Sequence, residues 1–187
     1  GIMIMIGSLV FLGCPLRMVI RMSAGDLNAW VALIGFIAGV WVGTLALKKG
    51  FSLGRAHATN KTSGLVMPIM AVVLLCISLF TTLLAVSTEG PGSKHAPLLI
   101  SLIGALIFGI FAQKSRMCFA GSFRDIFLMK NFDLISVIGG LFIVMLIYNL
   151  VSGSFLLSFA GQPIAHTEQL WNILGMFVVG FAAVLAG

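Results

Sequence analysis

The chain has 187 residues, of which 60% are hydrophobic and only 9% charged. A soluble domain carries roughly a quarter charged residues, so there is too little polar surface here to cover a water-soluble globule, and a lipid bilayer is the expected solvent. The formal charge of +6 reads as topology, because Lys and Arg gather in the cytoplasmic loops of membrane proteins, and no nucleic-acid partner is expected from it.

In chain order, the first apolar run, residues 2–12, is too short to cross a hydrocarbon core, which takes roughly 17 to 25 residues of helix. It leads into Gly13-Cys14-Pro15-Leu16-Arg17. Residues 29–47 are a full-length span. The loop 48–64 holds Lys48, Lys49, Arg55 and Lys61 with no acid, which places it in the cytoplasm. Residues 65–86 then run outward to a loop with Glu89 and Lys94. A shorter run, 97–112, returns toward Lys114 and Arg116 and ends in the segment Arg116-Met117-Cys118-Phe119-Ala120-Gly121-Ser122-Phe123-Arg124. Residues 134–151 and 170–186 are further spans, separated by a loop with Glu168 and no Lys or Arg, which suits the outer face. The expected fold is all-α, a polytopic integral membrane helical bundle. The short runs 2–12 and 97–112 are expected to be half-helices followed by broken or re-entrant structure.

The two Cys and Arg segments share a register. Arg17 precedes Asp26-Leu27 by nine positions, Arg124 precedes Asp133-Leu134 by nine, and Met22 matches Met129. This predicts an internal repeat, with a first copy over about residues 2–47 and a second over about 97–151. Three crossings lie between Asp26 and Cys118, and an odd number turns the copies over, giving an inverted-topology repeat of the kind secondary transporters use to build a midplane site. Residues 177–187 resemble the run that precedes Cys14. The chain 1–187 is therefore read as one membrane domain that is part of a longer protein or pairs with a companion piece.

Chemistry-bearing residues concentrate at the breaks. Pro at the first turn of a helix gives up no needed hydrogen bond, so a helix is expected to start at Pro15, with Cys14 at its positive dipole end, where an anion is attracted. Arg17, Arg21, Arg116 and Arg124 are costly at membrane depth and need partners, water or an anion. Pairing of Arg17 or Arg124 with Asp26, Asp125 or Asp133, or snorkelling to headgroups, competes with anion attraction. A free cysteine is often just a small buried hydrophobe; recurrence at the same place beside cations favours a functional role for Cys14 and Cys118, whereas Cys76, mid-span among apolar residues, reads as packing. His57, His95 and His166 lie in loops and read as solvated, and the ten methionines as packing filler. No nucleotide, metal or hydrolase motif occurs in a plausible context, so neither a cofactor nor a metal is expected, and the chain reads as a non-enzyme.

The two motifs resemble those of the YeeE/YedE family of sulfur-compound transporters, and Gly-Cys-Pro-Leu-Arg-Met followed by Ala24-Gly25-Asp26-Leu27-Asn28 looks like its selenium-associated branch. The resemblance implies a multi-span protein of the inner (plasma) membrane, built from inverted repeats, with cysteines lining a narrow path and thiosulfate uptake as the activity. Cys14 and Cys118 would be path thiols, with Arg17, Arg116 and Arg124 as further substrate-binding residues.

As mechanism, each thiol is expected to offer a weak S–H donor to a soft inorganic sulfur or selenium anion, in steps shallow enough for release. Two other readings stay open: a membrane sulfurtransferase carrying a persulfide on Cys118, and an accessory subunit that presents sulfur or selenium to a cytosolic accepting protein.

Overall fold

The computed structural model describes residues 1–51, 61–80, 97–115, 117–162 and 165–186. Arg55, His57, Glu89, Lys94, His95, Arg116 and the end of the 65–86 span lie outside the described residues. All the regular elements described are helices: α1 (Ile2–Phe11), α2 (Pro15–Ser23), α3 (Leu27–Lys48), α4 (Lys61–Phe80), α5 (Leu98–Ser115), α6 (Phe119–Met129), α7 (Asp133–Val151) and α8 (Gln169–Ala186). Among the described residues five stretches are long and apolar enough to cross a membrane: Ile2–Ser23, Leu27–Lys48, Leu98–Met129, Asp133–Val151 and Gln169–Ala186. The protein is an all-α, multi-span membrane bundle.

The core of the unit formed by residues 1–53 and 102–187 is the crossing of α3 and α8. In lipid, where water exclusion adds nothing between helices, small residues decide how closely backbones approach. Gly35, Gly39 and Gly43 recur every fourth position on α3. A Cβ at Gly35 would meet the Ile173 carbonyl, one at Gly39 the Phe177 carbonyl, and one at Gly43 the Val184 side chain, while Gly180 faces the Phe36 carbonyl in return. The order of these contacts makes α3 and α8 parallel. On the other side of α8, Gly175 and Gly7 face each other, and His166 Nε2 donates to the Val10 carbonyl at 2.7 Å, so α1 runs antiparallel to α8. Phe11, Met18, Met22, Ala29, Ala32, Phe36, Val40, Met176, Val179 and Val184 fill the space between α1, α2, α3 and α8. Phe119 and Phe123 of α6 stack edge-on against Phe36, and Phe142 of α7 against Trp30.

At the end of the bundle where α3 begins, residues after α7 run alongside the turn between α2 and α3. Leu156 N–H donates to the Ala24 carbonyl, Ser158 N–H to the Gly25 carbonyl, and Leu27 N–H to the Ser158 carbonyl, at 2.9 to 3.3 Å. Gly25 takes φ +92°, and a Cβ there would lie 2.7 Å from the Leu156 carbonyl oxygen, so only glycine admits this approach. Asn28 Nδ2 and Asn149 Nδ2 fix the same junction, donating to the Phe159 carbonyl and to Ser23 Oγ.

Two sequence expectations change. The helix over residues 97–112 runs three residues further than expected, as α5 to Ser115 with 18 residues, and the expected break follows at Met117 and Cys118 before α6. Cys76 is exposed on α4, not buried; α4 itself belongs to a separate unit, residues 54–101.

Candidate functional site

Each motif cysteine occupies the residue that opens a short helix after a break. α1 ends with Leu12 in the left-handed region (φ 60°, ψ 38°), with Leu12 N–H bonded to the Leu9 carbonyl and Gly13 N–H to the Ser8 carbonyl, a helix-ending motif that normally takes glycine. Cys14 is then extended and N-caps α2, with Pro15 at the first helical position, as the sequence predicts. Cys118 is likewise extended and N-caps α6. Its sulfur accepts the Gly121 N–H at 3.3 Å, and Ser122 Oγ donates to the Cys118 carbonyl at 2.7 Å. A Cβ at Gly121 would sit 3.2 Å from the sulfur. Both thiols therefore stand at the positive end of a helix. Both are exposed, so neither is the small buried hydrophobe that competed with a functional role in the sequence reading.

The arginine pairings follow the sequence reading at Arg124 and depart from it at Arg17. Arg21, not Arg17, pairs with Asp26: Nε lies 2.6 Å from Oδ2, with side-chain exposures of 8% and 0%. Asp26 Oδ1 accepts the Asn28 N–H at 2.9 Å and so caps α3, a role that suits Asp. Arg21 also donates from Nη1 to the Phe11 carbonyl at 3.3 Å and lies 4.5 Å above the Phe11 ring. Its Nη2 is buried with no partner. Arg124 pairs with its neighbour Asp125 at 3.3 Å in a partly exposed setting, which leaves Asp133 at the start of α7, its N–H donating to Asn131 Oδ1. Arg116 lies outside the described residues.

Arg17 joins Arg21 in a cavity of about 200 Å³ lined also by Ile20, Ala24, Asp26 and Gln162. Neither Cys14 nor Cys118 lines it. A second cavity, of about 160 Å³, lies between α2, α3, α6 and α7 and is apolar, walled by residues such as Met22, Phe119, Phe123 and Phe142. Among the described residues no cluster of His, Cys, Asp and Glu could hold a metal ion. The sequence reading missed the roles of Arg21, Gln162 and His166. His166 is partly buried rather than solvated, bonded to Val10, a contact between residues 156 positions apart that local sequence does not announce.

Over 87 residues the chain is 34% identical to the thiosulfate transporter TsuA of Spirochaeta thermophila. The chain resembles part of a thiosulfate transporter. The matched stretch is 46% of this chain and 26% of that protein, so the chain spans about a quarter of the relative it matches. No protein-family profile matches the sequence, and no solved structure matches it.

Proposed function

We propose that this chain forms part of a membrane path for uptake of a small inorganic sulfur anion, thiosulfate or a selenium analogue, with Cys14 and Cys118 as successive S–H donors. The observation that carries the reading is the recurrence of one device: in each of two segments a break inside a membrane stretch ends in a cysteine that caps a short helix. A soft, diffuse anion suits a thiol donor, and the positive helix ends supply attraction without a fixed charge at the contact. Weak successive contacts replace hydration while leaving each step shallow. The similarity to a thiosulfate transporter supports this choice of cargo. Residues 2–47 and 97–151 would be the two copies of an inverted repeat, with Arg17, Arg116 and Arg124 attracting the anion toward the thiols, in the inner membrane.

Alkylation by a small maleimide tests the assignment. Thiosulfate should slow modification of Cys14 and Cys118 and leave Cys76, also exposed, unaffected; equal rates with and without thiosulfate at all three sites would remove it. The exposure of Cys118 also suits a sulfur carrier, and labelled sulfur retained on Cys118 after denaturation would replace the path reading with a sulfurtransferase.

A further inference from the structure

We propose that the cavity lined by Arg17, Arg21, Asp26 and Gln162 holds a small tetrahedral oxoanion by charge and hydrogen bonding, ahead of and separately from the thiols. The inference deepens the anion-path reading and rests on it for the identity of the physiological cargo.

Three features carry it. First, the wall has a surplus positive charge. Asp26 has one oxygen on Arg21 and the other on the Asn28 N–H, so its charge is already engaged, and among the described residues no carboxylate pairs with Arg17. A guanidinium without a counterion in a membrane bundle calls for water or an anion. Secondly, donors remain unused. Arg21 is 7% exposed, and its Nη2 is fully buried without a partner, so it reaches an acceptor in the cavity only when the side chain shifts, at the cost that any unmade buried hydrogen bond carries. Gln162 Nε2 donates one hydrogen, to the Leu156 carbonyl at 2.7 Å, and an amide nitrogen carries two.

Thirdly, the cavity adjoins the cysteine break. The Arg17 stem lies against Gly13, where a Cβ would be 3.0 Å from Arg17 Cδ, and Gly13 precedes Cys14. The same side chain thus borders the thiol-bearing break and supplies a wall of the charged cavity. Guanidinium groups bind hard and soft oxoanions alike through oxygen, so this site collects anions by charge and leaves discrimination to the thiols.

Binding of radiolabelled sulfate to the full-length protein in lipid nanodiscs, at fixed ionic strength and with unlabelled thiosulfate as competitor, tests this. The wild type should bind sulfate and release it to thiosulfate. Arg17→Gln should weaken binding about tenfold, as expected for loss of a charge-assisted hydrogen bond. Gln162→Glu, which adds a carboxylate to the wall, should act in the same direction through a different residue. Unchanged binding in both variants would overturn the proposal. Because binding is read without transport, a protein that binds sulfate through Arg17 yet carries no thiosulfate would sink the transport reading and leave this site standing.

Discussion

Arg21 and Asp26, five residues apart, form a buried ion pair 2.6 Å long that ties the end of α2 to the first turn of α3. Removing one member of such a pair leaves an uncompensated charge and costs about 3 to 5 kcal/mol, whereas removing both charges together is close to neutral. Arg21→Met should therefore lower thermal stability strongly in detergent, and the double variant Arg21→Met with Asp26→Asn should recover most of the loss, since Asn still caps α3. Equal stability of the single and double variants would show that the pair is not buried as described.

The crossing of α3 and α8 rests on glycines. Gly39→Ala places a Cβ against the Phe177 carbonyl and should cost about 1 to 3 kcal/mol by overpacking. Gly104→Ala on α5, where a Cβ would meet nothing within 4 Å, should be tolerated without loss. Parallel unfolding curves of the two variants check this, and a destabilised Gly104→Ala would contradict the packing.

Gly121 sets the position of the Cys118 sulfur. The Cβ of Gly121→Ala would crowd the sulfur at 3.2 Å and displace it from the N–H that it accepts. Thiosulfate uptake should fall severalfold with membrane insertion unchanged, and the alkylation rate of Cys118 should shift while that of Cys14 does not. An unaltered alkylation rate would mean that the sulfur has not moved.

Cys76 is exposed on α4 and belongs to neither cysteine and arginine segment of the sequence. Cys76→Ser should leave thiosulfate uptake within experimental scatter of wild type, and a loss comparable to that of Cys14→Ala would require a third path thiol.

Hydropathy made most of the helices legible, because in lipid the length of an apolar run is itself the structural requirement. The start of α2 was legible too, since Pro15 suits a first helical position. The ion pair was not. Arg17 and Asp26 share the nine-residue spacing of Arg124 and Asp133, but Arg21, one turn along α2, is the residue that faces Asp26; the position in the same register after Arg124 is Leu128, so the shared spacing pointed past it. Likewise Met22 is buried at 7% exposure while Met129, its match, is 67% exposed, showing that a shared register does not carry shared packing. The glycine spacing at 35, 39 and 43 is a signal for close helix contact that the sequence does contain. The meeting of Gln162 and the 154–162 segment with the turn at Gly25 depends on contacts more than 130 residues apart, which no local pattern encodes.

The central claim is that the motif cysteines line a path for a soft sulfur anion. Uptake of radiolabelled thiosulfate into proteoliposomes carrying the full-length protein, with Cys14→Ala and Cys118→Ala alongside, tests it most directly. The account predicts accumulation by the wild type, loss in either variant at equal membrane insertion, and no accumulation of labelled sulfate by any of them; wild-type uptake rates in both cysteine variants would contradict it.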